Sequence, residues 1–159
     1  MHVAPAQLAD IPAWLDLAAE VEPLFGPMVA DAGFHAALER HIRRQTAFCI
    51  REQDGAPGTP LIGGLLFSAA HAPRYKIGWL AVSQGSRQQG VARALVEYCF
   101  RLIQPPAELS VVTFGADNAA GGPARRFYER MGFQPAEAAP NGPEGGTRQV
   151  FRRQFECWR

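Results

Sequence analysis

The sequence predicts a mixed α/β fold in which one sheet carries helices on both faces. Hydrophobic periodicity orders the elements as helix, helix, three strands, helix, strand, helix and two strands. Apolar residues make up 47% of the 159 residues, which is enough for one sizeable core, and no repeat or linker divides the chain. We therefore expect a single domain over residues 1–159.

Two helices are predicted near the N-terminus. Apolar side chains recur at a spacing of 3.6 residues over residues 11–25, where Asp10 is the expected N-cap and Pro12 suits the first turn. A glycine and a proline then break the pattern. A second apolar stripe predicts a helix over residues 31–43.

The rest of the chain alternates strands with two further helices. Residues 91–102 form an amphipathic stripe that ends before two prolines, and residues 123–131 form a shorter helix followed by Gly132. Strands are predicted over residues 46–51, 61–68, 76–82, 109–114, 133–137 and 147–155.

Composition and charge exclude several classes of function. The formal net charge is +1, so the chain lacks the basic surface with which proteins bind nucleic acid or an anionic membrane. No apolar stretch approaches the ~20 residues of a membrane span, and no signal peptide pattern precedes the first helix. We expect a cytoplasmic protein without a nucleic-acid or membrane partner.

The three cysteines indicate no metal site. Cys49, Cys99 and Cys157 are odd in number and far apart, and they lack the spacing of metal ligands or of a redox pair. Cys49 and Cys99 lie within apolar segments, which predicts buried thiols in a reducing compartment.

The segment most informative about chemistry is residues 77–94. It combines a buried-type strand, a loop with the pattern Arg87-x-x-Gly90-x-Ala92, and an amphipathic helix. A helix start presents unpaired N–H groups and the positive end of the helix dipole, and small residues there let a phosphate approach the backbone. The glycine pattern of a dinucleotide-binding loop and the Gly-Lys-Ser/Thr of a P-loop are both missing.

Two motifs resemble those of the GNAT acetyltransferase superfamily. Residues 80–92, read as Leu-Ala-Val-x4-Arg-x-x-Gly-x-Ala, resemble its acetyl-CoA loop, whose pattern is Arg/Gln-x-x-Gly-x-Gly/Ala. Residues 124–133, Ala-Arg-Arg-Phe-Tyr-Glu-Arg-Met-Gly-Phe, resemble its Ala-x-x-Phe-Tyr-x-x-x-Gly-Phe segment. The two motifs stand in the family's order, with the expected strand between them.

The resemblance implies a fold, a coenzyme and roles for individual residues. It implies a mostly antiparallel central sheet with one splayed strand pair, and acetyl-CoA as the cosubstrate. Tyr128 is the expected proton donor to the departing coenzyme thiolate. A backbone N–H within residues 80–82 is expected to polarise the acetyl carbonyl. The residues expected to bind the coenzyme are Leu80, Ala81, Val82, Arg87, Gln88, Gln89, Gly90, Val91, Ala92 and Arg93.

The sequence departs from the family pattern at two positions. Many relatives carry a glutamate base two residues before Leu80, where this chain has Gly78. Many also carry an asparagine at the position of Gly121, whereas here Asn118 stands three residues earlier. The general base therefore stays unassigned among Glu20, Glu22, His35, His71 and Asp117.

The expected reaction is acetyl transfer to a primary amine by direct attack in a ternary complex, with a small-molecule amine as the acceptor. Two alternatives stay open: a domain that binds a CoA thioester without turnover, and acetylation of a protein N-terminus or lysine. Homodimerisation is compatible with the family.

The sequence also offers candidate residues for the acceptor site. Residues 139–146, rich in proline and glycine, form a candidate lid. Glu20, Glu22 and Asp31 are candidates to attract a cationic amine, and Trp14, Phe25 and Phe34 belong either to the acceptor site or to the core.

Overall fold

The computed structural model of the chain describes residues 1–157. Its helices are α1 (Ile11–Phe25), α2 (Ala32–Arg43), α3 (Val91–Leu102) and α4 (Gly122–Arg130). Its strands are β1 (Val3–Pro5), β2 (Ala47–Arg51), β3 (Leu61–His71), β4 (Arg74–Val82), β5 (Ala107–Phe114), β6 (Gln134–Ala139) and β7 (Arg148–Phe155). None of the helices in this part of the chain is long and apolar enough to cross a membrane.

The strands form one sheet in the order β1-β2-β3-β4-β5-β7-β6. β4 and β5 run parallel, whereas β1 with β2, β2 with β3, β5 with β7 and β6 with β7 run antiparallel. This confirms the predicted class, a mixed and mostly antiparallel sheet flanked by helices. The four predicted helices begin and end within one residue of the observed bounds.

Several strand bounds differ from the sequence prediction by two residues, and β1 and β3 differ the most. β1 was missed because three residues give no alternating pattern, and only its pairing with β2, Val3 opposite Ile50, makes it a strand. β3 continues past Ser68 to His71, since the exposed alanines that extend it carry no apolar signal.

The chain divides into two compact units. The first comprises Met1–Pro23, Pro27–Phe67 and Trp79–Leu102, and the second comprises Leu24–Gly26, Ser68–Gly78 and the described residues from Ile103 onward. Strands β3 and β4 each contribute residues to both units. A single domain over residues 1–159 stays a prediction.

In the first unit, two adjacent glycines of β3 bring a helix close to each face of the sheet. A Cβ atom on Gly63 would lie 2.5 Å from Val91 Cγ1 of α3. A Cβ atom on Gly64 would lie 2.9 Å from the Trp14 ring of α1. Because successive residues of a strand point to opposite faces, α1 and α3 cover opposite faces of β3.

A buried ion pair fixes the N-terminal segment of the first unit. Asp10 was expected to cap α1, but its carboxylate instead accepts two hydrogen bonds from Arg51, at 3.0 and 2.7 Å, one from Gly58 N at 2.9 Å and one from Gln7 N at 2.8 Å. Burial alone raises the pKa of Asp10, but these hydrogen bonds outweigh it and hold the pKa below its ordinary value. The carboxylate thereby joins the start of α1 to the end of β2 and to the following loop.

In the second unit, α4 packs against β5 and β7 through aromatic and arginine side chains. The Tyr128 ring lies 6.4 Å from that of Phe151, and the Arg125 guanidinium lies 4.9 Å from the centre of the Phe151 ring. Arg125 Nη1 also donates to the carbonyl of Phe114 at 2.8 Å. These contacts set Tyr128 with its side chain inside the unit, where 6% of the residue is exposed.

We expect Asp10→Asn to lower the free energy of unfolding by about 3–5 kcal/mol, because the substitution leaves the buried Arg51 guanidinium without its counter-charge. In urea titrations, Glu39→Gln serves as the control, since its ion pair with Arg43 is exposed and should contribute at most about 1 kcal/mol. Because the pKa of Asp10 is depressed, the contribution is complete above its ordinary value of 3.8 and is lost as the pH falls below it. Equal losses in the two variants would contradict this interpretation.

Candidate active site

The end of β4, a short loop and the start of α3 form the candidate coenzyme site. Leu80, Ala81 and Val82 are the last residues of β4, and Ala81 is buried. Ser83 N then donates to the carbonyl of Ile62 at 2.9 Å, which holds the loop to β3. A single 3-10 turn follows at Gln84–Ser86, and α3 begins at Val91.

The start of α3 presents a row of backbone donors. Its first i to i−4 hydrogen bond runs from Ala94 N to the carbonyl of Gly90, at 3.0 Å. The N–H groups of Val91, Ala92 and Arg93 precede that bond and have no partner within the helix. Gly90 has no side chain with which to cap them, so these donors and the helix dipole are available to an anion.

Gly90 is required for the turn into α3. Its φ is +82°, a conformation that other residues adopt only with strain, and nothing lies within 4 Å of where its Cβ would be. Gln88, two residues earlier, also has a positive φ, of 61°. The two left-handed residues turn the chain immediately before α3 begins.

The polar side chains of the loop lie at the surface. Arg87, Gln88 and Gln89 are exposed, and Gln89 Nε2 donates to the carbonyl of Gly85 at 3.4 Å. Arg93 forms an exposed ion pair with Glu97, one turn along α3, at 2.6 Å. Of the two arginines expected near the coenzyme, Arg93 therefore has an intrahelical partner.

The parallel ladder between β4 and β5 is short. It begins with Arg74 beside Glu108 and ends with Ile77 beside Val111. β4 continues to Val82 and β5 to Phe114. The ladder thus ends before either strand does.

A family comparison decides the identity of the fold. Residues 44–135 match the family model described as acetyltransferase (GNAT) domain. The chain belongs to the GNAT acetyltransferase family. Acetyl-CoA is the cosubstrate of this family. The row of donors at the start of α3, with Gly90 and Ala92 in place of larger side chains, fits the phosphates of that coenzyme.

Solved structures show the same GNAT fold at low sequence identity. Ard1 from Thermoplasma volcanium has a TM-score of 0.76 at 16% identity, over 97% of each chain. The ribosomal-protein-S18-alanine N-acetyltransferase from Escherichia coli has a TM-score of 0.74 at 17% identity, over 99% of this chain and 96% of that chain. The PaiA N-acetyltransferase from Thermoplasma acidophilum, solved with coenzyme A, has a TM-score of 0.73 at 10% identity, over 97% of this chain and 98% of that chain. No match was found among curated proteins.

Tyr128, the proton donor expected in a GNAT enzyme, lies in α4 among aromatic rings. The ring centres of Phe127 and Phe133 lie 5.2 and 5.5 Å from its own. Burial raises the pKa of its hydroxyl above the ordinary value of 10. The hydroxyl is therefore protonated across the physiological pH range and available as a hydrogen-bond donor.

The candidate general bases are dispersed, and several have structural partners. Glu22 accepts hydrogen bonds from Met28 N at 2.7 Å and Val29 N at 3.4 Å. Glu20 accepts one from the Ser83 hydroxyl at 3.3 Å. Of the remaining candidates, His35 is hydrogen-bonded to the carbonyl of Val29, and Asp117 accepts a hydrogen bond from the Thr147 hydroxyl. His71 is the exposed last residue of β3.

The structure explains why glycine replaces asparagine at position 121. A Cβ atom on Gly121 would lie 2.1 Å from Phe114 Cβ, so no side chain fits there. Asn118 instead caps the 3-10 turn before α4, where its side-chain oxygen accepts from Ala120 N at 3.2 Å. The GNAT asparagine position is thus closed by packing in this chain.

The aromatic candidates for the acceptor site belong mostly to packed clusters. Trp14 is fully buried, and its ring centre lies 5.5 Å from that of Trp79. Phe34 lies 5.8 Å from Trp79, whose indole N–H donates to the Met28 sulfur at 3.2 Å. Sequence reasoning missed Trp79 and Met28, because neither lies in a motif. In the second unit, the rings of Phe25 and Phe114 stack with their centres 5.2 Å apart.

The two internal cysteines are buried thiols, as predicted. Burial raises the pKa of Cys49 to about 11 and that of Cys99 to about 12. Both are therefore uncharged thiols at neutral pH, whereas Cys157 is exposed.

We expect Gly63→Ala to lower the stability by about 1–3 kcal/mol, because the added methyl group collides with Val91 and displaces the first turn of α3. Gly85→Ala, whose Cβ would meet nothing within 4 Å, is the matched control and should leave stability nearly unchanged. Chemical unfolding of the two variants measures the difference. A Gly63→Ala protein as stable as the control would show that the close packing of α3 is not required.

Proposed function

We propose that the chain transfers the acetyl group of acetyl-CoA to a primary amine by direct attack in a ternary complex. The row of free backbone donors at the start of α3, within a GNAT motif, carries this proposal. Backbone N–H groups of Val91, Ala92 and Arg93 bind the pyrophosphate, with Gln88, Gln89 and Gly90 shaping the turn. Arg87, exposed beside them, adds positive charge.

The last residues of β4 hold the pantetheine arm and the reacting carbonyl. When bound, acetyl-CoA supplies an activated thioester carbonyl. Leu80, Ala81 and Val82 pair with the pantetheine through their backbone, as a neighbouring strand would. An N–H in this stretch donates to the acetyl oxygen as negative charge develops there.

Tyr128 donates a hydrogen bond to the departing sulfur. Because burial raises the pKa of its hydroxyl, the phenol holds its proton more tightly than a coenzyme thiol of pKa near ~8.5 does. The phenol therefore stabilises the thiolate by hydrogen bonding more than by complete proton transfer. Losing it slows the reaction without abolishing it.

No carboxylate stands at Gly78, so we propose that the amine attacks as its neutral fraction. We expect kcat/KM to rise with pH up to the pKa of the amine used, and this midpoint to move when amines of different pKa are compared. Profiles measured with such a series test the point. A midpoint fixed near the ordinary pKa of a histidine or a carboxylate would instead identify a base on the protein.

We expect acetyl-CoA to raise the melting temperature by roughly 5–11 °C at 100 times its Kd, since such binding adds about 2.7 kcal/mol and each kcal/mol moves the midpoint by about 2–4 °C. ATP and NAD should not do so. Ala92→Asp should remove most of the shift, because its carboxylate occupies the anion site while remaining compatible with a helix start. Ala36→Asp, which adds the same charge on α2, is the control. An equal shift with ATP would contradict the proposed site.

We expect Tyr128→Phe to lower kcat by about 10- to 100-fold, at the lower end of general-acid effects. Tyr98→Phe is the matched control, because Tyr98 packs against Phe48 through its ring, 4.8 Å away, and is not assigned a catalytic role. Steady-state thiol release with a panel of amines measures both variants. Unchanged turnover in Tyr128→Phe would eliminate the proton-donor role.

A protein N-terminus or lysine is the second candidate acceptor. It is favoured by the presence, among the similar folds, of the S18-alanine N-acetyltransferase and of the NatC complex solved with a Gag peptide and CoA. A non-catalytic CoA-binding domain is the third, suggested by Gly78. Thiol release with a peptide but with no small amine would favour the second candidate, and release with neither would favour the third.

A further inference from the structure

Aromatic and sulfur side chains form a cluster within the first unit. Trp14 and Met28 are buried in this cluster, whereas Phe34 and Trp79 are only half-buried. The ring centre of Trp79 lies 5.5 Å from that of Trp14 and 5.8 Å from that of Phe34. The partly exposed rings of Phe34 and Trp79 therefore rest on a buried base. We refer to these two rings as the aromatic surface.

The base of the aromatic surface is fixed in place. A Cβ atom on Gly64 would lie 2.9 Å from the Trp14 ring, so Trp14 packs directly against the backbone of β3. The indole N–H of Trp79 donates to the Met28 sulfur at 3.2 Å, and this contact sets the orientation of the Trp79 ring. A surface held in this way loses little conformational freedom when a ligand packs on it.

Several polar groups around the aromatic surface already have partners within the protein. The Glu22 carboxylate accepts hydrogen bonds from Met28 N at 2.7 Å and from Val29 N at 3.4 Å. His35 Nε2 is hydrogen-bonded to the carbonyl of Val29. Because these groups and the Trp79 indole N–H are engaged, we expect a ligand to bind the aromatic surface by apolar contact.

The aromatic surface adjoins the stretch of β4 that the proposed reaction uses. Trp79 immediately precedes Leu80 in β4, and both residues belong to the first unit. The nitrogen of the Leu80 N–H is therefore bonded to the carbonyl carbon of Trp79, and the two Cα atoms are about 3.8 Å apart. Trp79 is thus one residue from the backbone N–H groups of residues 80–82, one of which is proposed to polarise the acetyl carbonyl.

We propose that Phe34 and Trp79 bind an aromatic ring of the acceptor, which is a primary amine joined to that ring by a short alkyl chain. This inference rests on the proposed acetyl transfer to an amine. Aromatic rings pack in tilted or offset arrangements with their centres about 4.5–7 Å apart, and a further ring extends the cluster in the same way. The chain is short because Trp79 is directly followed by the residues that hold the acetyl group.

The experiment compares phenethylamine with hexylamine as acceptors, by thiol release and with rates expressed per neutral amine. Both are apolar primary amines, so the ratio of their kcat/KM values isolates the contribution of the aromatic ring. Wild-type protein should prefer phenethylamine by about three- to tenfold, because contacts between aromatic rings add to the effect of apolar burial.

Variants assign this preference to the aromatic surface. Phe34→Leu and Trp79→Leu should each bring the ratio close to one, whereas Trp79→Phe should retain most of it. Tyr98→Leu is the matched control and should keep the wild-type ratio, because Tyr98 is a half-buried ring of the first unit that packs against Phe48 instead. A merely structural role would lower the rates for both amines together and leave the ratio unchanged.

Three outcomes overturn the proposal, even if Trp79→Leu fails to fold. They are a wild-type ratio near one, a ratio that Phe34→Leu leaves unchanged, and a ratio that Tyr98→Leu lowers as much as Phe34→Leu does.

A binding measurement separates this proposal from the proposed function. Phenethyl alcohol, which carries no amine, is titrated into nitrogen-15-labelled protein with coenzyme A present, and the indole N–H signal of Trp79 is followed. Hexanol is the control ligand. A saturable shift with phenethyl alcohol, without thiol release from any amine, would retain the aromatic site and reject acetyl transfer. Thiol release without a shift, and without a preference for the aromatic amine, would reject the aromatic site and retain acetyl transfer.

Discussion

The packing of α3 against bare backbone at Gly63 is the contact on which the candidate coenzyme site depends. Val91 and Leu95 of α3 lie within 2.5 and 3.1 Å of the position that a Cβ on Gly63 would take. Such closeness fixes the first turn of the helix relative to β3. Val91 is also the first residue of α3. The packing of Val91 against Gly63 therefore also fixes the position of the unpaired backbone N–H groups at the start of the helix. The candidate coenzyme site is therefore built from backbone, and its position is set by Gly63, a residue that does not line it.

In the second unit, stacked arginine side chains add to the close glycine packing seen at Gly121. Arg125 and Arg148 each lie over a phenylalanine ring, and each donates a hydrogen bond to a backbone carbonyl. A flat guanidinium can stack and bind at two points, which the single ammonium of lysine cannot.

The helices and the coenzyme motif could be read from the sequence because their signals are local. Periodicity gave the bounds of α1 and α3, and the Arg87 to Ala92 pattern gave the family. The Asp10–Arg51 pair could not be found in this way, since its members are 41 residues apart and neither interrupts a motif. Asp10 was instead expected to cap α1, the role its local position suggests.

The same limit applies to Gly63 and to Arg148. A glycine in a strand pattern signals close approach but does not say which element approaches it. The sequence places Glu144 in a loop and Arg148 in a strand, but it does not predict that they form an ion pair. Such a pair depends on how the hairpin between β6 and β7 closes. The candidate lid of residues 139–146 proves to be held by this pair and by contact of Pro143 with Gly26.

The most direct measurement is an amide NMR titration of nitrogen-15-labelled protein with acetyl-CoA. Binding at the start of α3 predicts that the amide signals of Gly90, Val91, Ala92 and Arg93 move early and by the largest amounts, since their N–H groups gain phosphate partners. Saturable binding that leaves these four signals in place would contradict the site, whatever activity the protein shows.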